Sequence, residues 1–390
     1  MMRASKTLPP GYWTIWIATL LFFVAFYTLL VPMPLYLEGI GVSDWLIGVI
    51  MGAFGIASLV ARPLAGVAAD RVDRRAVLGA GAASLVIGAA GVTLATAPAA
   101  LFGLRLLQAI GYVAFTTAGT ALVSDMAHPE HRAQTLAVFG IAANVAMVMT
   151  PAAISAVLGV LTIQGALLLA AVLAAIAGLM ALRVRAAPPG AAPPTRWRGL
   201  LRPPDPLLIP MLAAWIMGLG FGAYLQFLPL LAERRGIPAA GLVYTVYGVS
   251  IILTRLATGR RLDGPGRGGL LRLGYVLLAG GLAVLAVAYS LPLLMVGAAG
   301  VAVAGGIIHP ALIAIHVERM PAAARGRAVA FFYLGFDLGI GLGAWLLSPI
   351  LQNLGVTGMY AAAALISIAG VLLVPSVARR LSPTPAISSS

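Results

Sequence analysis

The chain has 390 residues, of which 61% are hydrophobic and 9% charged, and it carries a formal net charge of +14 with no cysteine. Soluble domains carry about a quarter charged residues, so this chain cannot cover a watery surface and its solvent must be lipid. The missing cysteines exclude disulfides, thiol nucleophiles and thiolate metal sites.

A bilayer core about 30 Å thick takes roughly 20 apolar residues per helix. Apolar runs predict spans at 13–36, 45–67, 76–97, 99–122, 134–158 and 162–183. The first run is too long for a signal-peptide core and has no small-residue cleavage site behind it, so it reads as a retained helix. Residues 184–206 are rich in proline and arginine and read as a linker that cannot be helical throughout. Six further runs follow, at 207–231, 241–261, 269–289, 291–315, 327–351 and 356–376. The expected fold is therefore an all-α integral membrane protein of twelve transmembrane helices. Its predicted parts are a bundle at 1–183, a cytoplasmic linker at 184–206, a second bundle at 207–380 and a disordered Ser/Pro-rich tail at 381–390.

Basic residues fall in alternate loops. Arg71, Arg74 and Arg75 follow the second span, Arg132 the fourth, Arg260, Arg261 and Arg267 the eighth, and Arg319, Arg325 and Arg327 the tenth. The positive-inside rule then puts both termini and the central loop in the cytoplasm of a cell with an inner membrane. This distribution accounts for the net charge without nucleic acid as a partner. Arg234 and Arg235 break the pattern and read as outward-facing surface charge beside Glu233.

The two halves repeat in parallel. Arg62, Gly66 and Asp70 recur as Arg255, Gly259 and Asp263, an offset of 193 positions, and the same offset carries Asp125 to Glu318, Arg132 to Arg325 and Asn144 to Asp337.

Twelve spans, a six-plus-six repeat, cytoplasmic termini and a basic central loop together resemble the major facilitator superfamily over essentially the whole chain. The segment Gly66-Val-Ala-Ala-Asp70-Arg71-Val-Asp73-Arg74-Arg75 is similar to that family's G-x-x-x-D-R-x-G-R-R signature, with Asp73 in the place of a glycine. Aspartate also tolerates turn conformations. The resemblance implies a cytoplasmic gating role for this motif together with Arg62 one turn before it, and for the repeat at Arg255, Gly259 and Asp263, with a latch on the outward-open state at Asp70. Arg105-Leu-Leu-Gln108-Ala-Ile-Gly111 is similar to the R-x-x-Q-G motif of drug-proton antiporters, with Ala109 in the first glycine's place. The antiporter motif of the next helix keeps Pro151 but neither glycine. Its counterpart in the eleventh span holds Gly335, Gly339, Gly341 and Gly343, which read as close helix packing.

Ionisable groups inside a bilayer are costly and therefore mark candidate sites. Asp337 lies near the middle of the eleventh span, is expected to have no charge beside it, and could carry a proton as a cavity opens to each side in turn. The alternative is a structural aspartate at a helix contact. Arg105 cannot shed its charge and needs a partner, for which Glu38 is the candidate. The alternative is a clamp between helices. His309 is a further titratable candidate, with packing as its plainer role. His128, His131 and His316 fall in or beside cytoplasmic loops and need no special role.

Tyr27, Gln108, Tyr112, Asn144, Tyr224, Gln226 and Tyr247 belong, with Asp337, to spans that in the resembled fold surround a central cavity. A lining that is aromatic and sparsely polar suits amphipathic or apolar organic molecules and argues against a strongly charged one, which would ask for a pair of midplane basic residues. The expected function is secondary active transport by a monomer, most simply proton-coupled export. Uptake by proton symport is the alternative, and a ligand-binding sensor is the alternative of another class. No enzyme activity, cofactor or metal is expected, because paired acids, ligand clusters and positioned nucleophiles do not appear.

Overall fold

In lipid a backbone must satisfy its own N–H and C=O groups, and a helix does so within one segment. The computed structural model describes residues 11–128, 131–158, 160–184, 203–238, 241–258, 267–321 and 325–378, and its elements are all α-helices. The first half comprises α1 (Tyr12–Thr28), α2 (Pro32–Gly39), α3 (Asp44–Arg71), α4 (Arg74–Val92), α5 (Pro98–Met126), α6 (Arg132–Val157) and α7 (Ile163–Leu182). The second comprises α8 (Asp205–Arg234), α9 (Gly241–Thr258), α10 (Arg267–Ala286), α11 (Leu291–Glu318) and α12 (Arg325–Ala378).

Twelve crossings emerge from these elements once two irregularities are understood. Pro32 and Pro34 interrupt the first span, so α1 and α2 together make one apolar stretch, Tyr12–Gly39. In the other direction, α12 runs for 54 residues, roughly 80 Å at 1.5 Å per residue, which is more than two bilayer cores. It bends at Gly355, whose φ of 65° suits a residue without a Cβ, and so crosses twice. Exposed Leu168, Val172, Ile176 and Leu179 on α7 give that helix an apolar outer face suited to lipid.

Glycines let α12 touch two helices at once. A Cβ on Gly339 would fall 2.1 Å from the Trp215 carbonyl and 2.9 Å from Gly218 Cα on α8. A Cβ on Gly55 of α3 would fall 2.5 Å from Gly341 Cα. Helices from the two halves thus cross with backbones in contact, as the small-residue pattern anticipates.

The repeat is visible in the ion pairs. Arg74 pairs with Asp125, and at the same offset Arg267 pairs with Glu318 at 2.6 Å. Asp73, standing where the signature has glycine, caps α4: its Oδ1 accepts from the Arg75 backbone N–H at 2.9 Å. The Arg75 side-chain hydrogen bond holds the Asp73 carboxyl below its ordinary value. His316 stands beside a loop rather than in one. It is fully buried at the end of α11, with Nδ1 2.7 Å from the Leu312 carbonyl. Linker residues 185–202, Gly259, Asp263, the tail 379–390 and the Asp70 side chain lie outside the described residues.

Candidate functional site

A cavity of about 810 Å³ lies between the halves and is lined from α1, α3, α5, α6, α8, α9, α11 and α12. No described residue of the predominantly aliphatic α4, α7 or α10 reaches it. Its wall includes Thr120, Ser124, Leu136 and Val329, near the ends of α5, α6 and α12 that adjoin the basic loops, so the cavity runs toward that end.

Asp337 lines the cavity and is almost fully buried, but it is not alone. Arg62 on α3 donates from Nε to its Oδ2 at 2.6 Å, with Nη2 at 2.5 Å, and the Tyr333 ring lies 5.4 Å from the guanidinium. This corrects the expectation of an acid without a charged neighbour. It also places Arg62, expected as part of the gating motif, on the cavity wall. The cause is the Gly55–Gly341 crossing, which brings together residues 275 positions apart.

The repeat produces a second contact of the same kind. Arg255 on α9 reaches Asn144 Oδ1 on α6 at 3.4 Å, and both residues line the cavity. Arg62 and Arg255 are equivalent under the 193 offset, as are Asp337 and Asn144. The protein therefore holds two symmetry-related bridges between its halves, one ionic and titratable, the other to a neutral amide.

Tyr27, Tyr112, Gln226, Tyr247 and His309 also line the cavity. Tyr112 packs its ring 4.3 Å from Phe26, and His309 stands edge-on to Phe332 at 4.9 Å. Tyr224 does not line it; it is fully buried behind Tyr247, stacked at 5.0 Å. Gln108 is likewise withdrawn. It donates to the Gly88 carbonyl at 2.9 Å and accepts from Arg105 Nη1 at 2.8 Å, so it ties α5 to α4 and positions the arginine. Arg105 itself is 2% exposed, lines the cavity, and has an Nε without a hydrogen-bond partner.

Glu38 is not the partner of Arg105. It accepts from Arg234 Nε at 2.8 Å, while Arg234 Nη1 donates to Asp44 at 2.8 Å and Nη2 makes a further short contact with the same carboxylate. Arg234 is thus no stray surface charge; it joins α8 to α2 and α3 at the end opposite the basic loops. Arg235 serves a different purpose, binding the carbonyls of Leu285, Ala286 and Ala288 where α10 ends. The same far end is sealed by the Trp345 indole donating to the Val49 carbonyl at 2.9 Å and by the Trp45 N–H on Gln352 at 3.0 Å. Of the motif residues, Arg74 donates to the Ala121 carbonyl at 2.9 Å, Arg75 pairs with Asp73, and Arg71 is exposed. A Cβ on Gly66 would meet nothing within 4 Å.

A sequence profile described as the Major Facilitator Superfamily matches residues 15–288 and 238–389. The chain belongs to this superfamily. A member from Salmonella typhimurium, an uncharacterised major-facilitator-type transporter, is 29% identical over 358 residues, covering 88% of this chain and 91% of the relative. The staphylopine export protein of Staphylococcus aureus is 23% identical over 401 residues, covering 96% and 97%. The nucleoside transporter NupG shares the major-facilitator fold with a TM-score of 0.77 at 17% identity, over 95% of this chain and all of that one. A bacterial homologue of the lysosomal transporter Spinster, in an inward-facing and occupied conformation, matches with a TM-score of 0.77 at 16% identity, over 96% and 98%. The protein is accordingly a multi-pass membrane transporter of the major facilitator superfamily.

Proposed function

We propose that this transporter moves small organic solutes by alternating access and couples that movement to protons through Asp337. One observation carries the reading: among the described residues Asp337 is the one carboxylate lining the cavity, and its counter-ion Arg62 comes from the other half. Protonation cancels the charge on one side of that bridge. A tie between the halves then weakens just beside the glycine crossing that closes the far end, so binding a proton and changing conformation become one equilibrium. The positive-inside rule supports an inner-membrane orientation with both termini cytoplasmic and the cavity facing the cytoplasm. A monomer contains the whole of this machinery.

Export is the direction supported by the antiporter-like Arg105 and Gln108 and by the full-length likeness to an exporter. Symport is a second reading, favoured by the Arg62–Asp337 bridge: a proton on Asp337 frees Arg62 for an acidic solute, so the two ligands assist each other's binding.

Purified protein in liposomes with a pH-sensitive dye inside, offered a panel of organic cations, anions and neutral amphiphiles, tests the proposal. Solute-dependent proton flux in the wild type that disappears in Asp337→Asn is expected, and its sign separates export from symport. Solute flux that ignores the pH gradient and persists in the variant would remove Asp337 from the coupling.

A further inference from the structure

The charges around the cavity do not balance. Arg62, Arg105 and Arg255 line it, against Asp337 alone among the described acids. Asp337 is taken by Arg62, which leaves two guanidinium groups facing the cavity with no carboxylate among the described residues. Arginine stays protonated wherever it is placed, and a cation held in a low-dielectric interior is costly unless an anion or hydrogen-bond acceptors compensate it. A charged solute asks for basic groups inside the membrane to receive it, and Arg105 and Arg255 are two such groups on the cavity wall.

We propose that the cavity is built for organic anions, an acidic group on an apolar or aromatic body, with Arg255 as the seat of the acid. This names the substrate class of the transporter reading above and rests on it, independent of direction. Arg255 makes one long bond, to Asn144, and shares the cavity wall with Tyr247, His309 and Tyr333. The buried Tyr247 hydroxyl has no hydrogen-bond partner and can donate to the same acid. Arg105 supplies a second positive group deeper in the cavity, its Nε equally unpartnered and its Nη1 fixed by Gln108. Rings of Phe26, Phe221 and Phe336 furnish apolar wall for the body of the solute.

The chain's lack of cysteine allows a direct test in the full-length protein. Met147→Cys places one thiol on the cavity wall, and its reaction rates are measured with an anionic sulfonatoethyl and a cationic trimethylammonioethyl methanethiosulfonate, each normalised to a free thiol. The anion-to-cation rate ratio should exceed that of the free thiol by about tenfold, the effect of uncompensated charge in a focused field. Arg255→Gln should reduce the excess several-fold. Asn144→Asp, which gives Arg255 a carboxylate without removing it, should do the same should the first variant not fold. In parallel, tryptophan quenching compares a naphthalene ring bearing a propionate, a propionamide or a propylamine chain. The propionate is expected to bind best, by about tenfold, with that preference lost in Arg255→Gln. A cavity thiol that prefers the cationic reagent, or a ratio indifferent to both variants, overturns the proposal even where no naphthyl compound binds. Neither readout involves flux, so the anion seat can fail while proton-coupled transport stands, and the reverse.

Discussion

Arg62 and Asp337 share a 2.6 Å hydrogen bond across the interface of the two halves, and the equivalent positions one repeat away, Arg255 and Asn144, meet at 3.4 Å with the acid replaced by an amide. A duplicated contact has diverged at one residue. That divergence makes one bridge titratable and leaves the other as spare positive charge.

The two members of the ionic bridge should not be equally replaceable. Asp337→Asn strands a guanidinium that cannot lose its proton, whereas Arg62→Gln strands a carboxyl that can gain one. Asp337→Asn is expected to lower thermal stability in detergent at neutral pH by roughly 1–3 kcal/mol, tempered by the partial exposure of Arg62 to the cavity. Arg62→Gln should cost clearly less, and less still as pH falls. Melting curves of the two variants from pH 5 to 8 check the order; the reverse order would contradict it.

Arg234 joins Glu38 and Asp44 at the far end, so its removal should favour opening there. These partly exposed pairs contribute roughly 0.2–1 kcal/mol each, enough together for a roughly two- to thirtyfold shift in a two-state equilibrium. Spin labels at Leu94→Cys and Val287→Cys, exposed positions at that end related by the repeat, report it. Arg234→Gln should enrich the longer distance, and added salt should diminish the difference between variant and wild type. An unchanged distribution would mean that the tryptophans and glycines close this end unaided.

The glycine crossing should be the stronger seal. A Cβ on Gly55 would lie 2.5 Å from both the Asp337 carbonyl and Gly341 Cα, and backbone cannot swing aside as a side-chain tip can. Gly55→Val is predicted to disfavour far-end closure by about 1–3 kcal/mol, the usual penalty of overpacking. The same spin-label pair should show a larger shift than in Arg234→Gln, and retention of the wild-type distances would refute the seal.

At the start of α4, Asp73 acts as a cap where the family signature has glycine. Asp73→Ala should cost about 0.5–2 kcal/mol, and Asp73→Gly only a few tenths. Because the folded carboxyl titrates below its unfolded value, its contribution is complete above the unfolded value and fades as pH falls through the folded one. The gap between wild type and Asp73→Ala should therefore narrow in acid, as melting at successive pH values would show.

Much of the architecture is written in composition and spacing. Length and apolarity mark the crossings, and the 193 offset links the halves because duplication keeps loops and helices in register. The same offset pairs Arg62 with Arg255 and Asp337 with Asn144, so the residues of both bridges are visible in the chain. Their meeting is not, since it depends on α3 crossing α12 at glycines nearly three hundred positions apart. Arg62 reads as part of the gating motif at the end of its span because it stands two turns before Asp70, and its contact with Asp337 shows only in the fold. Glu38 is misread for the same reason. Its partner Arg234 lies in the other half, and charges at helix ends show which side of the membrane they occupy but not whom they face.

The most direct test of the proton-operated bridge needs no substrate. Distances between spin labels at His128→Cys and Pro321→Cys, equivalent exposed positions at the basic-loop end, are measured across pH in the wild type and in Asp337→Asn. The wild type should move toward closure of this end as pH falls, with the slope of a single proton, and Asp337→Asn should hold the acidic distribution at every pH. A variant that titrates like the wild type would contradict the claim that Asp337 carries the proton that moves the halves.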